Sequence, residues 1–389
     1  MTRAPTGPLR GTRVVELAGI GPVPFVGMVL SDLGADVVRI DRPVDVERAD
    51  PSRAPGTVLD RGRRSAGIDL KTPAGAELVL DLVAGADVLI EGMRPGVAER
   101  LGVGPDLCLA RNPKLVYGRM TGWGQDGPLA ARAGHDIDYI AISGALSAFG
   151  RAGGPPVPPL NVVGDFGGGA MLLALGVVAA LLEASRTGLG QVVDAAMVDG
   201  SALLMAPFYA AHQLGFWGPR GTNLLDTGSP FYDCYACAGG GWVAVGALEP
   251  QFYAELLAGL ELDPAAIPDR DDRTRWPELR AVLAERFGQR TRDEWADAFA
   301  GRDACVVPVL DLGEAPAHPH NVARRTFVEV EGVVHPAPAP RFSATPAAIG
   351  GPSCYPGQHT REALADWGIR TARIDALERA GVVRESNWV

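Results

Sequence analysis

Lysine is almost missing from this chain. Of 36 basic residues in 389, only Lys71 and Lys114 are lysine; the rest are arginine. With alanine and glycine so abundant, that bias reads as a GC-rich bacterial genome rather than a selected property. Positive charge is also outweighed, 36 Lys and Arg against 46 Asp and Glu, for a formal net charge of −10. That balance excludes a general nucleic-acid binder; a polyanion would need a local basic cluster. Cysteine is scarce and odd in number: Cys108, Cys234, Cys237, Cys305 and Cys354. Such a set fits reduced thiols in the cytoplasm, not a disulfide framework. The Cys234-x-x-Cys237 pair has no second pair and no nearby histidine, so it reads as two thiols in a strand or turn. The N-terminal MTRAPTGPLRGTRVVEL lacks an apolar core, so no signal peptide is expected. A long uninterrupted hydrophobic run is absent too. Gly200 to Pro219 carries no Asp, Glu, Lys or Arg, but Pro207, His212 and Gln213 break it. Phe166 to Leu182 is more apolar, stops at Glu183, and reads as a buried helix short of a span. The expectation is a cytoplasmic protein that meets no membrane.

What is present is an ordinary globular composition, 47% hydrophobic and 21% charged, in a chain long enough for two domains. Arg13 to Leu17 (RVVEL) reads as a buried strand, followed by a glycine and proline turn and an apolar helix to about Leu33. Val37 to Ile40 is a second strand ending at Asp41-Arg42. Pro73 to Val83 reads as a helix with Thr72 as N-cap and Pro73 at the first position. Asp87 to Ile90 and Leu115 to Arg119 are further strands. This alternation predicts a doubly wound parallel α/β sheet. The turn supplies Gly19 and Gly21, but Pro24 stands where a dinucleotide fingerprint needs its third glycine, so no nicotinamide or flavin is expected.

Further on, a helix is expected over Ala170 to Glu183, and Gln191 to Ala195 is a strand. A Gly-, Pro- and aromatic-rich linker runs from Ala206 to Cys237. Trp242 to Val245 is a strand, and helices follow over Gln251 to Leu260 and Arg273 to Phe287. The boundaries read as a large α/β domain (1–196), a linker (197–234), a small α+β domain (235–320), a return linker (321–340) and a C-terminal segment (341–389).

Three local settings could carry chemistry. In Gly134-His135-Asp136-Ile137-Asp138-Tyr139, a histidine that titrates near neutral pH stands between a glycine and a carboxylate. Asp165 precedes Phe166-Gly-Gly-Gly169 at an expected helix start. It is either an N-cap or an acid whose anion the helix end stabilises. In the second case, free N–H groups of the glycines could hold an oxyanion. Glu249 precedes Pro250 at another helix start. Arginines at expected strand ends (Arg39, Arg42, Arg61, Arg63, Arg64, Arg94 and Arg100, with Lys71) form either a solvated face or a phosphate site.

Taken together, VVELAGIGP, LGADVVRIDRP, IEGMRPGVAERLGVGP, RMTGWGQDGP, GHDIDYIAISG, NVVGDFGGG, GQVVDAAMVDGS, VAVGALEPQFY and PAPRFS resemble the alpha-methylacyl-CoA racemases. These belong to the class III CoA-transferases (the CaiB/BaiF family). The resemblance covers nearly the whole chain. It implies an interlocked homodimer whose active site is shared between subunits, with a Rossmann-like large domain completed by the C-terminal segment. It implies His135 and Asp165 as the two acid/base groups, with Asp136 supporting the histidine and Glu249 pairing with it from the partner subunit. It implies CoA contacts from Arg42, Ile68, Asp69, Leu70, Lys71, Gly92, Met93, Arg94, Arg100, Gly134 and Tyr139. The substrate is then a 2-methylacyl-CoA thioester, with no metal and no cofactor beyond the CoA moiety. The segment 44–58 departs from the family pattern. The rival within the family is a CoA-transferase using Asp165 as nucleophile through an aspartyl-CoA thioester. His135 and Glu249 favour the racemase, since a transferase needs neither. A catalytically silent CoA-binding or assembly protein would not need the acid/base set at all.

Overall fold

A computed structural model describes residues 6–50 and 58–386. Of the divergent segment 44–58, residues 51–57 lie outside the described residues; its start forms the helix Pro43–Arg48. The described chain divides into two compact units. The larger comprises 1–143, 160–204 and 323–389, and the smaller 144–159 and 205–322. The segment 144–159, which the sequence reading left in the large domain, groups with the smaller unit.

The larger unit is built on a seven-stranded sheet. Six parallel strands come from apolar, β-branched runs: β1 (Arg13–Leu17), β2 (Asp36–Asp41), β3 (Arg64–Ile68), β4 (Val88–Glu91), β5 (Val116–Thr121) and β6 (Gln191–Ala196). Their spatial order is β3-β2-β1-β4-β5-β6. The seventh strand, Val383–Arg384, returns from the C-terminal segment and pairs antiparallel with β3. Both faces are covered, so the strands read as continuous hydrophobic runs. Val15, Leu89 and Tyr117 bury into one face, and Val14, Val88 and Val116 into the other. The helix Pro73–Ala84 starts as its sequence dictates: the Thr72 side chain accepts from the Gly75 N–H, a cap worth about 1 kcal/mol.

Four of the seven arginines at strand ends prove to be structural. Arg63 and Glu16 form an ion pair with neither side chain exposed. Arg39 binds Asp41 and Asp60, both at 2.7 Å; Arg61 binds Asp32 at 2.6 Å; Arg64 binds Asp36 at 2.8 Å. A charge that deep survives only with a partner. These four cations are therefore spent inside the fold and not offered to a ligand.

The smaller unit carries the antiparallel sheet β7 (Tyr232–Ala236), β8 (Trp242–Gly246) and β9 (Val306–Pro308). The helices Pro250–Leu260, Trp276–Phe287 and Arg292–Phe299 pack around an aromatic core of Tyr235, Phe287, Trp295 and Phe299. The stretch read as linker holds ordered elements: the helix Ala206–Gln213 and all of β7.

Two histidines, His335 in the return linker and His359 in the C-terminal segment, tie that part of the chain to the large sheet. His335 is buried with its Nδ1 3.4 Å from Arg61, and the Ser65 N–H donates to His359 Nδ1. Burial, then the nearby guanidiniums, hold both below their ordinary value of 6.5; for His359, Glu362 partly opposes this. The folded state thus favours neutral imidazoles. Their contribution to stability is complete above pH 6.5 and is lost as pH falls below it, because the unfolded chain takes up the protons. Denaturant midpoints should fall from pH 7 to pH 5 more steeply for the wild type than for the double variant His335→Asn/His359→Asn. Equal slopes would refute this assignment.

Candidate active site

The chain order of the large sheet reverses between β1 and β4, neighbours that lead away in opposite directions. A crevice opens beyond the carboxyl ends of the strands at such a point. Here it is a cavity of about 370 Å³, lined by Ile20 to Val23 after β1, Gly92 to Pro95 after β4, Met120 to Trp123 at the end of β5, and Met197 after β6. Ala130, Arg132 to His135, Tyr139 and Asp165 complete the wall. His135 and Asp165, 30 positions apart in the chain, thus face one space.

His135 is the N-cap of the helix Asp136–Ile142. Its backbone N–H donates to Asp138 Oδ2 at 2.9 Å, which fixes the main chain and leaves the imidazole exposed towards the cavity. Asp136 is buried, and its Oδ2 accepts the backbone N–H of Asp165 at 2.7 Å. One carboxylate therefore ties the start of the histidine helix to the start of the aspartate helix. Gly164 makes this possible: a β-carbon there would lie 2.4 Å from Asp136 Oδ2.

The aspartate helix differs from the sequence expectation. It begins at Val162, winds as a π-helix to Met171 and continues as an α-helix to Thr187. Asp165 lies in its first turn, still at the positive end of the helix dipole. The glycines that follow are inside the helix, so their N–H groups belong to the helical ladder and are not free for an oxyanion. Their use is close approach: a β-carbon on Gly200, in the helix Met197–Leu204, would meet the Gly168 carbonyl oxygen at 1.8 Å. The first-turn N–H of Asp136 has no partner within its short helix. The full helix Val162–Thr187 is long and apolar enough to cross a membrane, unlike the shorter span read from sequence. Leu173, Ala174, Val177 and Ala180 bury one of its faces, and Leu175 and Leu182 are exposed on the other.

Burial raises the Asp165 carboxyl above its ordinary range. The Asn161 amide, donating to its Oδ2 at 3.0 Å, and His135 pull it back, while Asp136 pushes it up. Asn161 is the residue that sequence reasoning missed. It stands four positions before Asp165 in NVVGD, the spacing that puts two side chains on one helical face.

Of the expected CoA contacts, Gly92, Met93, Arg94, Gly134 and Tyr139 line the cavity. The Tyr139 hydroxyl donates to the Gly134 carbonyl, and its ring packs edge-on against Trp123. Arg42, Asp69, Leu70 and Lys71 follow the ends of β2 and β3 and lie outside the lining. Arg42 pairs with Asp45 at 2.6 Å, and the Asp69 carboxylate accepts the Lys71 N–H. Ile68 is buried in the core, so that stretch presents Asp69 to Lys71 and not the isoleucine side chain. Arg100 ends the short helix Val97–Arg100, and neither it nor Arg94 forms an ion pair among the described residues. Glu249 belongs to the smaller unit, as the exposed N-cap of the helix Pro250–Leu260. Its carboxylate accepts no hydrogen bond among the described residues.

Residues 9–360 match the family described as CoA-transferase family III, and the chain belongs to that family. It is 46% identical over 380 residues to the alpha-methylacyl-CoA racemase of Mus musculus, covering 96% of this chain and 97% of that protein. It is 45% identical over 387 residues to the enzyme of the same name from Homo sapiens, with 98% of each chain covered. A solved CAIB/BAIF family protein from Brucella suis superposes with a TM-score of 0.80 at 27% identity, over 93% of this chain and 100% of that one.

The Asp136 link generates a test. Gly164→Ala and Asp136→Ala should each lower turnover by roughly a hundredfold, the cost of displacing a catalytic group by about 1 Å. The double variant should be no worse than either single one, because both break one contact. Additive losses would show that the two residues act separately.

Proposed function

We propose that the protein is an alpha-methylacyl-CoA racemase that interconverts (2R)- and (2S)-2-methylacyl-CoA thioesters by moving the C2 proton. The observation that carries this reading is that His135 and Asp165 line one cavity at the switch point of the sheet. The high identity to proteins named for this activity supports it.

Inversion needs one group to remove the proton from C2 and a second to deliver a proton to the opposite face. Neutral His135 takes the proton while protonated Asp165 gives its own; imidazolium and carboxylate then serve the return direction. The pair holds one transferable proton between its two groups. Burial of Asp165 supports this, because it favours the neutral carboxyl over the charged form. Between the two transfers, negative charge lies on the thioester oxygen, and the first-turn N–H of Asp136 is the donor we assign to it. The exchange consumes no redox equivalent, and CoA enters as part of the substrate. Arg94 and Arg100, which form no ion pair among the described residues, are the cations we assign to its phosphates, with Arg42 and Lys71 beyond the cavity.

Glu249, an exposed carboxylate, is assigned to the histidine of a second copy of the chain, in a homodimer with shared active sites. The exposed Leu175 and Leu182 face of the long helix is consistent with such an assembly.

Incubation of one pure enantiomer of a 2-methylacyl-CoA with the protein in D₂O, without a second acid, tests the reading. Deuterium should enter C2 as stereochemical purity is lost. Absence of exchange, together with a hydroxylamine-trappable thioester on Asp165, would mark a CoA-transferase instead.

A further inference from the structure

One buried ionic network beside the cavity has no part in the proton transfer described above. Glu91 is the last residue of β4, 0% exposed, so its carboxylate must be fully satisfied inside the protein. One oxygen accepts the backbone N–H of Met93 at 2.6 Å, and the other accepts Arg119 Nε at 3.0 Å. Arg119, on β5 and 6% exposed, reaches past Glu91 to Glu99 at 2.9 Å. Glu99 precedes Arg100 on the short helix Val97–Arg100. Glu91, Arg119 and Glu99 thus bracket the turn Gly92 to Gly96, with one end of the network on its backbone and the other on the helix that follows. Nothing in that turn is held by regular secondary structure, yet Gly92, Met93 and Arg94 line the cavity.

We propose that Glu91 and Arg119, with Glu99, are positioning residues for acyl-CoA binding. They fix the turn so that Arg94 and Arg100 face the CoA moiety, and they take no part in the transfer of the C2 proton. The proposal rests on the reading of the cavity as an acyl-CoA site. Burial, and after it the nearby Glu99, raise the Glu91 carboxyl, and the Met93 N–H and Arg119 oppose them. The two charge-assisted contacts keep the carboxylate in place, and the turn inherits that rigidity. Loss of a network that merely stabilised the sheet would lower the melting temperature and leave substrate affinity alone.

Steady-state racemisation and direct binding of free CoA, measured on the full-length protein, separate the two. Glu91→Gln keeps an acceptor for Met93 but removes the charge that holds Arg119. It should raise KM for the acyl-CoA and Kd for free CoA together, by roughly ten- to a hundredfold, with kcat within about twofold. Glu99→Gln, at the solvent end, should give the same pattern at roughly two- to fivefold and serves if the buried variant does not fold. Arg119→Lys should recover part of the affinity that Arg119→Ala loses. A fall in kcat with KM and Kd unchanged, or lowered melting temperature with both unchanged, overturns the proposal. If the wild type binds CoA but racemises nothing, the functional reading fails, while the CoA affinities still decide the role of Glu91.

Discussion

The geometry of the candidate site depends on a hydrogen bond between a buried carboxylate and a backbone N–H. Asp136 follows the histidine in sequence, and its oxygen holds the amide of Asp165, 2.7 Å away. The starts of two helices are locked by it to a common geometry. The other Asp136 oxygen is buried without a partner among the described residues, so this one contact sets the register of the two helices. The glycine at position 164 is its steric condition, and the first-turn location of both residues is its electrostatic one.

Around that link the sheet supplies the space. The order of strands reverses between β1 and β4, and the walls come from the loops after β1, β4, β5 and β6. The fold invests heavily in holding those loops. The fully buried Arg63 and Glu16 pair lies against Gly27 of the helix that follows the first of them, and the Glu91, Arg119 and Glu99 network brackets the second. Polar groups so deep contribute little net stability compared with apolar packing, but they define one arrangement.

Much of the larger unit is legible in the sequence, because β-branched runs and caps are local signals. β1 falls on RVVEL, and Thr72 caps its helix as its side chain and the following proline require. The pairing of His135 with Asp165 in one cavity was reached through family resemblance, since a lone histidine and a helix-start acid have structural uses of their own. The local signals misled where tertiary contact overrides them. A run of three glycines reads as a helix boundary, yet here it lies inside a helix because Gly200 of another helix must cross at van der Waals distance. Arginines at strand ends read as one cationic site, but whether each meets a ligand or an internal carboxylate depends on residues far along the chain: Arg63 meets Glu16, and Arg64 meets Asp366. Asn161 lies in NVVGDFGGG, where its four-residue spacing to Asp165 is the available signal.

The central claim is that two different groups serve the two faces of one carbon. It is tested most directly by following deuterium incorporation at C2 from each pure enantiomer with His135→Ala and with Asp165→Asn. The account predicts reciprocal behaviour: each variant loses abstraction from one enantiomer and retains exchange with the other, without inversion. If both variants lose exchange from the same enantiomer and spare the other equally, the two residues do not face opposite sides of C2, and the account is wrong.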